Sequence, residues 1–179
     1  VDEIPPAITF VPETPGDGST ISSDWVFINL TTSEPTDNAS INFNGTYYWL
    51  LAGSSTNWYR NFTSLTNGTY TYNVSANDTV GNNGTSATQN VTIDTSAPAL
   101  TFQLPTHNNE LINYNWSFIN ITSDKPLSNA SVNWNGTTYF MLNSSQTNWY
   151  INRTSLTYGN YTFQVNGNDT LGNNGTTGT

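Results

Sequence analysis

The sequence predicts an all-β fold: two tandem β-sandwich domains, residues 1–92 and 93–179, the second with its final strand missing or supplied from outside the segment. Three observations carry that expectation. The chain repeats itself at a fixed spacing, its apolar residues alternate with a period of two, and Asn-Gly pairs punctuate the apolar runs. No apolar periodicity of 3.6 residues extends beyond one turn anywhere.

The repeat fixes the domain count. "WVFINLTT" (25–32) matches "WSFINITS" (116–123), "NASINFNGT" (38–46) matches "NASVNWNGT" (129–137), and "TNWYRNFTSLT" (56–66) matches "TNWYINRTSLT" (147–157). All three pairs are 91 residues apart, and the register holds without a gap from Trp25 to Thr85. Upstream, "PAITF" (6–10) answers "PALTF" (98–102) at a spacing of 92, and "VDEIPP" (1–6) answers "IDTSAP" (93–98). Along each copy, "INFNGTYYW" (41–49) sets Asn-Gly between two β-rich runs, a strong hairpin signal. "YTYNVSA" (70–76) puts Tyr70, Tyr72, Val74 and Ala76 on one face and Thr71, Asn73 and Ser75 on the other, a half-buried strand that "YTFQVNG" (161–167) repeats. "SATQNVTID" (86–94) is the alternating last strand of the first copy. The second copy ends at Thr179, the counterpart of Thr88, without an equivalent of "QNVTID".

The stretch "SLTNGTYTYNVSANDTVGNNGTSATQNVTIDTSAP" resembles the final strands and linker of bacterial and archaeal immunoglobulin-like repeats, fibronectin-III-like modules found in tandem in large surface proteins. The shared pattern is Leu-x-x-Gly-x-Tyr, an alternating strand, Asp-x-x-Gly-Asn, and a strand ending in Val/Ile-Asp-x-x-x-Pro. The resemblance implies an immunoglobulin-like sandwich and, through Leu65, Gly68 and Tyr70 and then Leu156, Gly159 and Tyr161, a corner in which the Tyr hydroxyl bonds backbone a few residues upstream. About seven short strands per copy suit the same sandwich.

"SANDTVGNNGT" (75–85) recurs as "NGNDTLGNNGT" (166–176), with one acid in each loop. Asp78 and Asp169 either cap the backbone of their own turns or, joined by loop carbonyls and Asp94, bind calcium. One firm carboxylate per loop falls short of the six or more oxygens calcium takes, so the expectation is no cofactor, with calcium as the weaker alternative.

Asn-x-Ser/Thr occurs 18 times, at Asn29, Asn38, Asn44, Asn61, Asn67, Asn73, Asn77, Asn83, Asn90, Asn115, Asn120, Asn129, Asn135, Asn143, Asn152, Asn160, Asn168 and Asn174. With 28 Asn and 48 Ser or Thr among 179 residues, chance placement gives about seven or eight. Duplication does not explain the excess, because Asn115, Asn143 and Asn160 have no counterpart sequon in the first copy, nor Asn67, Asn73 and Asn90 in the second. Multiple N-glycosylation is the expectation, with sugar supplying the hydration that charged side chains usually provide.

Charge is scarce: 8% of residues, with three basic against twelve acidic and a net charge of −9. That excludes nucleic acid, which needs a basic footprint, and argues against anionic membrane surfaces. There is no Cys, hence no disulfide framework and no thiolate chemistry. No apolar run of about 18 residues exists, so no membrane insertion is expected in this segment. Val1 is not a natural start, and the chain reads as a mature or excised piece. Catalysis has little support: His107 is the only histidine, in a loop absent from the first copy and read as a solvated turn, and no repeated acid pair exists because Glu34 faces Lys125 and Asp24 faces Asn115 in the alignment. Trp58-Tyr59 and Trp149-Tyr150 serve either as core or as a sugar-stacking face, with one of each pair pointing outward. The function expected is therefore not enzymatic. It is a structural segment of a heavily glycosylated extracellular cell-surface protein, archaeal in character, building a filament, sheath or S-layer. Its partners would be further repeats of the same chain or a neighbouring subunit that donates the missing strand. The rival is an adhesin or glycan-binding module on a surface stalk.

Overall fold

The computed structural model describes residues 2–178; Val1 and Thr179, the outer bounds of the two expected domains, lie outside the described residues. Strand follows strand throughout. The first copy holds β1 (Ile8–Phe10), β2 (Ser19–Ile21), β3 (Val26–Thr32), β4 (Thr36–Phe43), β5 (Thr46–Trp49), β6 (Leu51–Ala52), β7 (Asn57–Phe62), β8 (Gly68–Asp78), β9 (Asn83–Thr85) and β10 (Gln89–Ile93). The second holds β11 (Leu100–Gln103), β12 (Ser117–Ser123), β13 (Leu127–Trp134), β14 (Thr137–Phe140), β15 (Leu142–Ser145), β16 (Asn148–Arg153), β17 (Phe163–Asp169) and β18 (Asn174–Thr176).

The chain divides into two compact units, Val1–Thr95 and Ser96–Thr179. The boundary between these units lies three residues past the expected cut after residue 92. Ile93 pairs with Gly68 and with Ile21 and is buried in the first core, so a cut at 92 would sever β10 from its own sheet.

Each unit is a two-sheet sandwich. In the first, β1-β3-β7-β6 faces β2-β10-β8-β4-β5, with β9 also on β8; in the second, β11-β12-β16-β15 faces β14-β13-β17-β18. Period-two alternation generates the core. Val26, Ile28 and Leu30 point inward from β3, Ile41 and Phe43 from β4, and Tyr72, Val74 and Ala76 from β8, all buried. Phe43 stacks on Phe62 at 3.9 Å between ring centres. Ile119, Ile121, Val132, Trp134 and Val165 repeat the arrangement. Full burial of each such side chain is worth about 1.5–3 kcal/mol, which is how a disulfide-free domain of this size holds together.

Local turn chemistry agrees with the sequence. Asn44 and Gly45 have φ of 51° and 86°, as do Asn135 and Gly136 with 47° and 84°. Two successive left-handed residues make the two-residue hairpin loop that joins Phe43 to Thr46 and Trp134 to Thr137. Both tyrosine corners form: Tyr70 Oη donates to Thr66 O at 3.0 Å and Tyr161 Oη to Thr157 O at 2.9 Å.

Candidate functional site

The sequons are the feature the sequence weights most, and the fold presents them outward. None of the eighteen Asn residues is buried. Asn44 and Asn135 occupy hairpin tips, Asn83 and Asn174 lie on short β9 and β18, and Asn61 and Asn152 on β7 and β16; all six are exposed. The sugar acceptor is the amide nitrogen, so its partners matter. Asn77 Nδ2 donates to Asn38 Oδ1 across β4 and β8 at 3.2 Å, Asn90 Nδ2 to Asp17 at 3.0 Å, and Asn120 Nδ2 to Leu104 O at 3.2 Å. Asn168 and Asn129 form the matching cross-strand pair at 3.5 Å. Asn67 Oδ1 accepts from the Thr95 amide and hydroxyl, Asn135 Oδ1 from the Thr162 amide, and Asn29 Oδ1 from Asn57 Nδ2. Half-buried Asn73 sits on the outward face of β8, while Asn115, Asn143 and Asn160 are exposed.

The repeated acid has a defined structural task in both units. Asp78 is 3% exposed, and its carboxylate accepts from Val80 N at 2.9 Å, Asn82 N at 2.8 Å and Asn82 Nδ2 at 2.7 Å. Asp169 accepts from Leu171 N at 2.9 Å, Asn173 N at 2.9 Å and Asn173 Nδ2 at 3.0 Å. Burial works against the charged form, but these donors outweigh it and hold both carboxyls below the ordinary carboxylate range. Gly81 and Gly172, with φ of 98° and 88°, let each turn close back onto its acid.

Sequence reasoning missed two acids beside Asp78, and Asp94 is not among that residue's neighbours. Asp94 follows β10 at the Gly68 end of β8, beside Asn67, whereas Asp78 ends that strand, so the two do not converge. The acids that do converge on Asp78 are Asp2 and Glu34, the three offering oxygens within 4.8 Å of one another. Loss of hydration, then the charges of Asp2 and Asp78, raise the Glu34 carboxyl above its usual value. In the second unit Lys125 takes the place of Glu34, and its Nζ lies 2.7 Å from Ser96 O and 3.5 Å from Asp169 Oδ2.

Trp58 and Trp149 are core residues, 7% and 8% exposed, with indole N–H groups donating to Thr36 Oγ1 at 2.7 Å and Gln146 O at 3.2 Å. Tyr59 and Tyr150 take the other face, against Phe27 and Phe118. The exposed aromatics lie elsewhere. Tyr47 and Trp49 project from edge strand β5, and Phe140 projects from β14. His107 is partly buried rather than a solvated turn residue: Glu110 contacts its Nδ1 at 2.7 Å and the Tyr114 hydroxyl its Nε2, so it ties its own loop together. The two arginines are spent on packing, Arg60 over Tyr48 at 4.8 Å and Arg153 over Tyr139 at 3.8 Å.

Residues 14–95 match the bacterial Ig-like domain family. No curated protein sequence matches the chain. Among solved structures, a bacterial 1.5-MDa ice-binding adhesin is 18% identical with a TM-score of 0.53, covering 98% of this chain; the chain spans 64% of that structure. The fibronectin(III)-like modules of Clostridium thermocellum CbhA are 15% identical with a TM-score of 0.49, covering 94% of this chain and 88% of theirs. At such identities the likeness speaks for fold alone. The chain is a tandem pair of immunoglobulin-like domains, and its residues 14–95 match the bacterial Ig-like domain.

Proposed function

We propose that the chain is a non-catalytic structural segment of an N-glycosylated extracellular surface protein, two sandwich spacers whose hydration comes from sugar. The observation that carries this is the placement of the sequons: eighteen in 179 residues, every one outside the two cores. Strand edges and hairpin tips accept glycans without disturbing packing, and the low charge leaves the surface in need of them. High sequon density together with the absence of Cys favours an archaeal surface, where such segments build a filament, sheath or S-layer. Glycans are expected first at exposed acceptors whose amide nitrogen is not engaged in the fold, above all Asn44, Asn61, Asn152 and Asn174. Intact-mass measurement of the protein from its native source tests it: several glycans raise the mass well above 19.7 kDa, and a bare 19.7 kDa chain refutes the proposal.

A second reading has one observation in its favour. Tyr47 and Trp49, 72% and 67% exposed, stand on the same face of β5 and offer a two-ring platform of the kind that stacks on sugars. The resemblance of the fold to an adhesin is compatible with it. Glycan-array binding that disappears in Trp49→Ala and persists in a surface control such as Val80→Ala would favour an adhesive module.

A further inference from the structure

On the outer face of the first unit's larger sheet, an aromatic pair and a sequon stand in adjoining rows. Tyr47 of β5 lies opposite Asn42 of β4, and Asn42 opposite Asn73 of β8. In the next row Trp49 lies opposite Ser40, and Ser40 opposite Ser75. Ile41 and Val74, which separate the two rows, are buried in the core, so all six of these side chains face outward. Two strand spacings, about 10 Å, separate Tyr47 from Asn73. The first sugars of a chain on Asn73 therefore lie over Asn42 and reach the rings. Beside the rings, Ser40, Tyr47, Tyr48 and Trp49 line a hollow of about 300 Å³, a volume that suits a small ligand.

Asn73 is also the acceptor on this face whose amide is left to react. Asn77 Nδ2 donates to Asn38 Oδ1 and Asn90 Nδ2 to Asp17 Oδ1, whereas among the described residues no hydrogen bond engages the Asn73 side chain. The second unit repeats the rows in the same register: Thr138 opposite Asn133 opposite Gln164, and Phe140 opposite Ser131 opposite Asn166. Asn42 and Ser40 keep their types there as Asn133 and Ser131, but the sequon at Asn73 becomes Gln164 and Tyr47 becomes Thr138. Sequon and tyrosine are lost together. The hairpin-tip sequon does not follow the ring, since Asn44 is kept as Asn135. Thr138 also shows that the fold itself does not need a ring at this place, and an exposed ring gains nothing from water.

We propose that Tyr47 and Trp49 are the seat of the glycan carried by Asn73 of the same chain. A pyranose lays its C–H-bearing face on the negative faces of the two rings, and its hydroxyls stay in water. The sugar is tethered about two strands away, so docking costs no translational freedom and proceeds at high effective concentration. A free glycan, or one on a neighbouring molecule, lacks that advantage. Seated in this way, the chain of sugars lies flat across β4 and covers the edge strand β5, which is otherwise open to pairing with another chain. The platform is then filled from within and closed to outside ligands. This seat rests on the N-glycosylated reading above, since it needs sugar at Asn73.

Hydroxyl-radical footprinting of the glycoprotein from its native source tests it, with peptide mass analysis reading oxidation at Tyr47 and Trp49 and sugar at Asn73 together. Asn73→Gln, the residue the second unit carries at 164, and Ser75→Ala remove the sequon in two different ways. Thr46→Ala removes the sequon of Asn44 alone. A sugar seated about nine-tenths of the time slows oxidation of the rings about tenfold. Both rings are therefore expected to react about tenfold faster in Asn73→Gln and in Ser75→Ala than in the parent, and at the parental rate in Thr46→Ala. Equal reactivity in parent and both variants, with sugar present on the parent's Asn73, overturns the proposal. Protection lost in Thr46→Ala instead overturns it too, assigning the rings to the glycan of Asn44. A bare Asn73 among other glycosylated sequons overturns the seat and leaves the glycoprotein reading standing, whereas a chain bare at every sequon refutes both.

Discussion

Gly84 and Gly175 occupy the tightest approach in each unit, and replacing either is expected to unseat the segment that leads into its own domain. A Cβ on Gly84 would stand 1.9 Å from the Pro6 carbonyl oxygen and 3.0 Å from its carbon; on Gly175 it would meet Pro98 at the same two distances. The obstacle is backbone in both cases, so no side chain can rotate away. Either β9 moves or the leading segment, held by Ala7 N on Ser33 Oγ at 2.9 Å and by β1 on β3, must lift. Overpacking of this kind costs about 1–3 kcal/mol, and a backbone obstacle belongs at the upper end. For a domain of about 95 residues each kcal/mol moves the melting temperature by about 4–8 °C, so Gly84→Ala should lower it by about 8–20 °C. Gly16→Ala is the control: no atom lies within 4 Å of its Cβ, and its φ is not left-handed. Calorimetry on the full chain, with hydrogen exchange of β8 amides to identify the first unit, reads the effect. A Gly84→Ala melting temperature within about 2 °C of the parent would refute the close approach and the role given to the leading segment.

Acid should act on the two units through Asp78 and Asp169. Their folded-state carboxyls lie below the ordinary 3.8, so their stabilisation is complete above that value and is lost as pH falls through the lower folded one; Asp169→Asn should flatten the low-pH limb of the second unit's melting curve. Glu34 runs the other way. Its folded carboxyl lies above 4.5, so its contribution is present below 4.5 and is lost as pH rises through the higher folded value, and Glu34→Lys should raise the first unit's melting temperature at pH 7. Chelation of calcium should change that temperature little, since Asp78 already accepts three hydrogen bonds; a large drop on chelation, restored by added calcium, would make Asp2, Glu34 and Asp78 ligands after all.

What the sequence made legible was local. The hairpins at Asn44-Gly45 and Asn135-Gly136, the corners at Tyr70 and Tyr161, and the alternating face of β8 depend on residues within a few positions of one another. Contacts made by the fold across large sequence distances were not legible. Asp2, Glu34 and Asp78 are brought together only when the leading segment crosses the end of β8, and nothing in their spacing announces it. Asp94 is no partner for Asp78, because a strand of eleven residues separates their two ends of the sheet. Two adjacent tyrosines at 47 and 48 gave no hint of which turns outward until the register of β5 on β4 was set: Tyr48 packs inward against Phe62, and Tyr47 is exposed.

The two copies act as a comparison in which the backbone plan is held constant. Positions that set the chain's path keep their residue type: Asp78 and Asp169 close a turn, Gly84 and Gly175 admit a carbonyl, and Tyr70 and Tyr161 tie a corner. Other positions change type between the copies, exposed Tyr47 to Thr138 and partly buried Glu34 to Lys125, the last reversing sign. A third class changes in a way neither account covers. Thr20 becomes Leu111 and Tyr72 becomes Phe163, both more apolar, and both border a groove beside β17. In the first unit Tyr72 Oη reaches Pro15 O and Gln89 Oε1, each at 3.2 Å, so its hydroxyl depends in part on β10. Phe163 has no hydroxyl to satisfy and still stacks on Trp134 at 5.6 Å. Other positions lining the same groove turn more polar, Ser19 to Glu110 and Thr69 to Asn160, so the divergence beside β17 follows no single direction and only the loss of the Tyr72 hydroxyl has a local reason, the absence of its acceptors.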